Sequence, residues 1–444
     1  MTGKISEILN KGVDHDMKKL LRGLLCGAVL SLFLCTAAFA AGDGIRIELN
    51  GENVVFQDAV PQIVNDRTYL PFRAVFVALG FADENITFQG ESRTVVAASD
   101  QLTVSMVIGE KKVTVVKDGR TTVLDTDVPA FIDPQLGRTY VPVSFVAQAA
   151  GYRVGWDGSR RTVILEDLEG LFENNTQTYQ VLEKYLAYTR ELRSSNYLVD
   201  GSITTWLNGG GTDLESQGSF RMVMDGRMNF DLSTRLALTG MMGGVDLAAA
   251  IPEGVLLEMR GNMTDGTICF RSEELKVLSE QDSLVWYMQK QDGIEENVVL
   301  AALDGEPEDG TIRDYVEKLI RNAIRQNNAL SATKQLEWFN QVLADSAFVR
   351  MNGQYVSGVQ EETTGISVSF YAEGNRVFGY RVIFDLDGFR MDVSLVKDTL
   401  QTVYRVESEQ GERITLNLEG TMTPTELRPV GKPAAGEQVL ELSD

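Results

Sequence analysis

The chain has 444 residues, with 63 acidic against 41 basic side chains and a formal net charge of −22 at pH 7. Such a surface repels phosphate backbones and anionic headgroups, so we predict no nucleic-acid partner. Its one histidine, His15, lies within the first 40 residues, which excludes histidine-dependent metal sites and histidine-activated nucleophiles from the rest of the chain. We therefore predict no metal ligand, no catalytic residue and no cofactor.

The first predicted element is a secretory signal peptide over residues 1–40. A positive region, an apolar core and a small-x-small cleavage site follow one another there, at Lys18, Lys19 and Arg22, at Leu24 to Leu34, and at Ala38-Phe39-Ala40. Residues 1–16 are predicted to be an upstream extension ahead of Met17. The mature protein is predicted to begin at Ala41.

Cleavage leaves 36 basic and 60 acidic residues, a formal charge of −24. No later segment has the run of about 18 apolar residues that a membrane-spanning helix needs, so we predict no transmembrane segment after cleavage. The mature length of about 400 residues exceeds one hydrophobic core, and two or three domains are expected. These features predict a secreted protein or one on the extracellular cell surface; an uncleaved leader that serves as an anchor is the alternative.

A sequence repeat defines the next region. The motif Arg-Thr-Tyr-x-Pro begins at Arg67 and again at Arg138, and each copy closes with a glycine and an aromatic residue, at Gly80-Phe81 and Gly151-Tyr152. Each copy predicts a turn, a short strand, a helix and a further strand, because proline suits the start of a helix and glycine the left-handed residue after its end. The helices are apolar almost all round, which predicts burial against a sheet.

These motifs, with the turn at Trp156-Asp157-Gly158, resemble the copper amine oxidase N-terminal-like domain over residues 45–167. The resemblance implies a module found in secreted and cell-surface proteins of Gram-positive bacteria. In the amine oxidases it implies a non-catalytic stalk, with the copper and quinone chemistry in another domain of which this sequence has no sign. We assign residues 41–167 to this domain as two repeats.

The repeated arginines and tyrosines, Arg67, Tyr69, Arg138 and Tyr140, are candidates for a glycan-binding surface. The interpretation we favour is that the tyrosines pack under the neighbouring helix and the arginines cover the turns. No binding residue is therefore assigned.

The remainder, residues 168–428, predicts an α+β fold. A helix is predicted from Asn174 to Ser195, followed by strands between Tyr197 and Lys290, a helical pair after Thr311, and strands again between Gly365 and Leu418. This order predicts a larger curved antiparallel sheet packed on helices, behind the small duplicated strand-helix-strand module. Residues 429–444 are rich in proline and glycine and are predicted to be a flexible tail.

The element order, together with Leu238 to Met242 and the strand at Trp286-Tyr287, resembles the half-barrel of the periplasmic lipoprotein carriers, the LolA-like domains. The resemblance implies a cleft between sheet and helices, lined by apolar side chains, that takes an acyl chain or an extended partner. It carries over no ligand-binding residue.

Methionines are concentrated in one stretch of this region. Flexible thioethers suit an adaptable lipid or peptide surface, but methionine also fills the cores of curved sheets, which is the interpretation we favour. The residues are Met222, Met224, Met228, Met241, Met242, Met259 and Met263.

The pair Ser331 and Lys334 has the Ser-x-x-Lys spacing of penicillin-recognising enzymes near a predicted helix start. Those enzymes also need a Lys-Thr-Gly strand, which the sequence lacks. We favour the interpretation that Ser331 is a helix cap.

Other patterns predict ordinary structure. Cys269, the one cysteine after the leader, is predicted to be a buried strand residue rather than a nucleophile. Asp385 and Asp387 have calcium-loop spacing, but the following Gly388 and the missing closing glutamate favour a hairpin. Gly209 to Gly211 is predicted to be a turn, because a phosphate loop needs a strand before it and a helix after it.

The sequence thus predicts a non-enzymatic protein with a stalk-like module and a domain that binds a hydrophobic ligand or an envelope component. The predicted partner is a lipid, a peptide or a cell-wall component. Two alternatives stay open: a wall-associated structural spacer, and a hydrolase of envelope polymers that uses a carboxylate pair which no spacing singles out.

Overall fold

The structure is a computed structural model that describes residues 44–57, 59–209, 212–227, 229–242, 244–262, 267–273, 284–290, 298–305, 307, 310–357, 365–386, 389–407 and 413–441. The predicted leader lies outside these residues, as do Met228, Met263 and the Asp387-Gly388 turn. The described residues form two compact units. The module unit comprises residues up to Thr176 together with 314–338, and the sheet unit comprises 177–313 and 339–441.

The helices of both units are short. They are α1 (Phe72–Ala78), α2 (Val143–Ala150), α3 (Leu168–Glu173), α4 (Gln180–Arg193), α5 (Leu247–Ala250), α6 (Val298–Asp304), α7 (Ile312–Gln326) and α8 (Ala332–Leu343), with 3-10 turns at Asp83–Asn85 and Asp345–Ala347. In the part of the chain that the structure describes, none of the helices has the length and hydropathy that a bilayer crossing requires.

The module unit is built from three small sheets. Its strands are β1 (Arg46–Leu49), β2 (Glu52–Asn53), β3 (Gln62–Val64), β4 (Arg67–Pro71), β5 (Ile86–Gln89), β6 (Thr94–Ala98), β7 (Leu102–Val107), β8 (Lys112–Lys117), β9 (Arg120–Asp125), β10 (Phe131–Ile132), β11 (Thr139–Pro142), β12 (Arg153–Asp157) and β13 (Thr162–Glu166). Their orders are β12-β13-β1-β2, β10-β11-β4-β3 and β5-β6-β7-β8-β9, with β1 parallel to β13.

Both helices of the repeat lie where the sequence predicts them. α1 and α2 begin directly after Pro71 and Pro142, and Gly80 and Gly151 adopt the left-handed conformation with φ of +88° and +77°. Because glycine has no Cβ, it accepts this conformation without strain and ends each helix. The helices bury Phe72, Phe76, Phe145 and other apolar residues in one core with the three sheets; Val77, by contrast, is exposed.

The sheet unit contains one long sheet. Its strands are β14 (Asn196–Gly209), β15 (Thr212–Met224), β16 (Phe230–Met242), β17 (Val245–Asp246), β18 (Val255–Asn262), β19 (Thr267–Arg271), β20 (Trp286–Lys290), β21 (Val349–Met351), β22 (Gln354–Ser357), β23 (Ile366–Glu373), β24 (Arg376–Leu386), β25 (Phe389–Val396), β26 (Thr399–Glu407), β27 (Arg413–Thr425) and β28 (Val439–Glu441). The order is β21-β22-β23-β24-β25-β26-β27-β14-β15-β16-β18-β19-β20-β28, with β17 beside β16.

Glycines allow this sheet to curve at its centre. Gly201 on β14 lies opposite Gly420 on β27 and opposite Phe220 on β15. A Cβ on Gly201 would lie 2.7 Å from the Phe220 ring and 2.1 Å from the carbonyl oxygen of Glu419. The ring therefore occupies the space that two side chains would otherwise fill, an arrangement typical of bends in sheets.

Helix α4 packs on one part of the same sheet. The ring of Tyr185 stacks on Phe370 of β23 with 4.5 Å between centroids, and it meets Tyr380 of β24 edge-on at 5.6 Å. These contacts bury the apolar face of α4 that its periodicity predicts. The helix begins at Gln180, six residues after the predicted start at Asn174. A sheet-rich α+β fold with a curved antiparallel sheet packed on helices is therefore confirmed.

Several described elements were not predicted, among them α3, β21 and β22, and two further differences concern α6 and the C-terminal segment. Helix α6 was not predicted, and four of its seven residues, Val298, Val299, Ala302 and Leu303, are buried. The segment predicted to be a flexible tail forms β28, which pairs in parallel with β20. Its composition indicates a loop, but its hydrogen-bond partners come from strands far away in the sequence.

Candidate functional site

Ser331 and Lys334, the strongest enzymatic pattern in the sequence, lie in the module unit at the start of α8. The backbone N–H of Lys334 donates to the Ser331 hydroxyl at 3.2 Å, so Ser331 caps this helix, as the favoured interpretation predicts. The Ser331 hydroxyl itself donates to the Glu166 carboxylate at 2.7 Å.

Glu166, the last residue of β13, is completely buried and accepts four hydrogen bonds. Oε1 accepts from Ser331 Oγ and from the Thr333 N–H at 2.9 Å, and Oε2 accepts from the Ala332 N–H at 3.0 Å. The fourth donor is Arg153 Nη1 on β12, at 2.8 Å. A carboxylate at this position satisfies the first N–H groups of the helix and interacts favourably with the helix dipole.

Arg153 extends this network to the loop before α8. Its guanidinium also donates to the carbonyl oxygens of Leu330 at 2.8 Å and Asn328 at 3.2 Å. Gly155 lies under the same loop, because a Cβ there would come within 2.6 Å of the Asn328 oxygen. Residues 314–338 are therefore attached to the copper amine oxidase-like sheets through buried polar contacts.

Lys334 does not act as a base toward Ser331. Its ammonium group forms an ion pair with the buried carboxylate of Glu48 on β1. Ser331 is 4% exposed, so a polymer substrate has no access to its hydroxyl. The residues of the Ser-x-x-Lys pattern hold the helix in place and do not form a nucleophile–base pair.

The repeated tyrosines are buried in a small cluster of their own. Tyr69 donates to the carbonyl oxygen of Pro129 at 3.3 Å, and Tyr140 donates to that of Val60 at 3.1 Å. Their cluster includes Phe131 but no helix residue, so the prediction that they pack under the helix is wrong. Side chains alternate along a strand, and it is the next residues, Leu70 and Val141, that face the helix core.

Each repeated arginine lies two residues before its tyrosine, Arg67 as the first residue of β4 and Arg138 directly before β11. Arg67 forms an exposed ion pair with Asp127 at 2.6 Å. Asp127 also accepts from Ser144 at 3.0 Å. Burial alone would raise the pKa of Asp127, but its hydrogen bonds with Arg67 and Ser144 outweigh burial and lower the pKa. Arg138 precedes β11 and also has an interaction partner. The arginines thus belong to the local packing of the repeat.

The inner face of the curved sheet carries an apolar cluster, which we call the inner cluster. Its buried members are Val199, Ile203, Phe220, Met222, Leu232, Leu395 and Met422. A further ten side chains pack against them while staying partly exposed, namely Leu192, Tyr197, Met224, Phe230, Leu236, Met259, Tyr380, Leu400, Leu416 and Leu418. More of the side chains in this cluster are partly exposed than are buried.

Three of the clustered methionines, Met222, Met224 and Met259, belong to the inner cluster, while Met241 is 45% exposed on β16. Cys269 is buried on β19, as predicted.

Tyr380 lies beneath α4, where burial and the nearby Asp304 carboxylate raise its pKa to about 12. This tyrosine is therefore neutral at physiological pH. Within the described ranges no group of three or more acidic, histidine or cysteine side chains is placed to hold a metal ion.

Comparison with known proteins assigns part of the module unit. Residues 48–165 match the family model of the copper amine oxidase N-terminal domain. The match includes both copies of the Arg-Thr-Tyr-x-Pro repeat and confirms the resemblance inferred from them. A search of the curated proteins found no match to the chain.

Two solved structures show a distant likeness. One is described as "Crystal structure of MucB in complex with MucA(peri)", with 10% identity over 55% of this chain and 94% of that chain and a TM-score of 0.09. The other, "The complex structure of Pseudomonas aeruginosa MucA/MucB", has 10% identity over 56% and 100% of the two chains and a TM-score of 0.08. Scores this low carry no argument, so the LolA-like resemblance stays a prediction.

Sequence reasoning missed the residues that hold residues 314–338 to the sheets of the module unit. Glu166 appears in the sequence only as part of a Glu-Asp pair at a domain boundary, and Glu48 and Arg153 carry no motif. Their partners lie between Asn328 and Lys334, more than 150 residues further along. No local signal reveals a contact at that separation.

Proposed function

We propose that the chain is a non-enzymatic protein of the cell exterior in which the copper amine oxidase N-terminal domain is a scaffold and the sheet unit binds an acyl chain. The observation that carries the proposal is the incomplete burial of the inner cluster. Secretion rests on the leader sequence alone, and attachment at the cell surface is part of the same proposal.

The inner cluster is less completely buried than the core of the module unit. Among the described residues, the core of the module unit has 21 buried side chains and 11 partly buried ones. The inner cluster has seven buried and ten partly buried, although the sheet around it is much longer. Partly exposed apolar side chains on a concave face are typical of a surface that closes around a ligand.

The chemistry of this face favours an apolar chain as the ligand. Two threonines next to the inner cluster are already paired: Thr234 donates to the Ser219 carbonyl at 2.9 Å, and Thr205 bonds to Ser216. The methionines supply flexible thioethers that adapt to irregular apolar shapes. A ligand with charged groups would find no partner on these residues, whereas an acyl chain needs none.

The scaffold role of the module follows from how its two copies contact each other. Tyr69 of the first copy bonds to Pro129 in the second, and Tyr140 of the second bonds to Val60 in the first. Leu70 lies opposite Val141 where β4 and β11 pair. This reciprocal arrangement supports a duplicated strand-helix-strand plan, whose repeated residues are used in packing rather than in binding a substrate.

The proposal is tested by titrating the full chain with cis-parinaric acid, a fluorescent fatty acid. We expect saturable binding to the wild-type chain and to a Met259→Leu variant, which keeps the side chain's volume. A Met259→Phe variant, which fills part of the inner face, should bind at least several-fold more weakly. Circular dichroism establishes that each variant is folded. No saturable binding to the wild-type chain would refute the proposal and favour a structural spacer.

A further inference from the structure

Residues 429–441 form a segment that runs over the ends of β16, β18, β19 and β20, and we call it the C-terminal strap. Its last residues form β28, which adds to the edge of β20 in parallel, with Val439 opposite Trp286. The backbone N–H of Trp286 donates to the backbone carbonyl oxygen of Gln438 at 2.9 Å. β20 and β28 are far apart in the chain and pair in parallel, so β28 adds to the sheet edge and does not form a hairpin with β20.

Two arginines hold the strap through the carboxylate of Glu437. Glu437 Oε1 accepts from Arg271 Nη1 at 2.7 Å, and Oε2 lies 3.5 Å from Arg260 Nη1. Both guanidinium groups also lie over the Trp286 ring, at 4.4 Å and 4.8 Å from its centroid. Trp286 is 1% exposed, so the arginines and the strap together cover it.

The first residues of the strap are recognised through their backbone. The carboxylate of Asp231 on β16 accepts from the consecutive N–H groups of Val430 at 2.7 Å and Gly431 at 2.9 Å. Arg260 Nη1 donates to the Lys432 carbonyl at 3.0 Å. Asp231 and Arg260 therefore contact the backbone of the strap, and the left-handed φ of +71° at Gly431 favours glycine at that position.

The strap buries no apolar side chain of its own. All of residues 429–441 are described, and Gly431 alone among them is buried, while Val430 is 59% and Val439 37% exposed. Attachment thus depends on hydrogen bonds and charge, which water and salt compete for. Its release would leave the β20 edge unpaired and would uncover Trp286, while Arg271 would keep its bond to Glu258 at 2.8 Å and Arg260 would keep Asp231 at 4.0 Å.

We propose that Asp231, Arg260, Arg271 and the β20 edge form a binding site for a peptide that places a glutamate before a short strand, and that the strap occupies this site within the same chain. The recognised feature is a glutamate two residues before the strand that adds to β20, as Glu437 precedes Val439. A partner segment with this pattern displaces the strap and takes over its contacts. This peptide site is distinct from the inner cluster and does not depend on acyl-chain binding.

The test uses a fluorescein-labelled peptide with the sequence of residues 429–441 and the full chain carrying Glu437→Ala, which weakens the strap. Fluorescence anisotropy should show saturable binding to this variant and binding about tenfold weaker to the wild-type chain, whose strap competes. The same peptide with Glu437→Ala should bind the variant chain about tenfold more weakly, while the matched control peptide with Glu441→Ala binds like the original.

No saturable binding to the variant chain, or equal affinity of the two alanine peptides, would overturn the proposal. If the variant chain fails to fold, hydrogen exchange of the wild-type chain decides. Raising the salt from about 0.05 M to about 0.5 M should speed exchange at Val430, Gly431 and β28 and leave the β14–β15 pair unchanged. An exchange rate in the strap that does not change with salt would contradict the proposal that charge holds this segment and that a partner can displace it.

Discussion

The buried carboxylate of Glu166 offers the sharpest test of the module unit. A Glu166→Gln substitution keeps the shape of the side chain but replaces one accepting oxygen with an NH2 group that donates. Oε1 and Oε2 each accept from two donors in the native protein, so either orientation of the amide leaves two donors facing a donor. The charge that balances Arg153, whose side chain is 12% exposed, is lost as well.

The size of the effect follows from these lost bonds. A buried donor without an acceptor costs about 1–3 kcal/mol, so two of them should lower the free energy of unfolding of the module unit by about 2–5 kcal/mol. Arg153 keeps the carbonyl oxygens of Leu330 and Asn328, which moderates the cost. A Glu166→Ala variant, which leaves the guanidinium without its carboxylate, should lose about 3–5 kcal/mol.

The assay is hydrogen exchange of the full chain followed by mass spectrometry, because two units make a single unfolding curve ambiguous. In the Glu166→Gln variant, exchange should accelerate in β13 and in the first turn of α8 and stay unchanged in the sheet unit. The matched control is Glu169→Gln. The Glu169 carboxylate is 78% exposed in its ion pair with Arg321, so this substitution should lower the free energy of unfolding by less than about 1 kcal/mol. Equal exchange in the two variants would refute the network described here.

Three further predictions concern packing and pH. A Gly201→Ala substitution should destabilise the sheet unit by about 1–3 kcal/mol, measured by hydrogen exchange within that unit, because its methyl group collides with the Phe220 ring and a backbone oxygen; wild-type exchange would contradict the proposed bend. A Tyr140→Phe substitution leaves the Val60 carbonyl without its donor and should cost about 1 kcal/mol in the same assay, whereas no change would show that water replaces the hydroxyl. Burial alone would raise the pKa of Asp157, but hydrogen bonds from Ser159 and Arg160 outweigh it and lower the pKa to about 2. Stability from this depressed pKa is complete above about pH 4 and is lost as the pH falls through about 2, so the stability difference from an Asp157→Asn variant should shrink over that range; a difference independent of pH would contradict the assignment.

Local sequence signals account for much of the fold. The prolines and glycines of the repeat locate α1 and α2, because each residue type fits one end of a helix. Alternation and turn residues locate most strands of the long sheet, and the surroundings of Cys269 predict its burial in β19. These features depend on residues within a few positions of one another, which is the range over which patterns carry information.

Contacts between distant segments could not be predicted in the same way. Glu166 and Ser331 are 165 positions apart, and Arg271 and Glu437 are 166 apart. Each of these four residues is an ordinary charged or polar residue in its own stretch of sequence. Only the fold brings the two members of a pair together. The C-terminal strap shows the consequence most clearly, since its composition predicts a loose tail while its partners on β16, β18 and β19 hold it in an ordered position.

The central claim is that the incompletely buried inner cluster holds an acyl chain. Native mass spectrometry of the full-length protein purified from its natural source, combined with analysis of the extracted lipids, tests it most directly. We expect the protein to carry a stoichiometric adduct whose mass matches a fatty-acyl species found in the extract. A population with the unliganded mass alone, and an extract without acyl species, would contradict it.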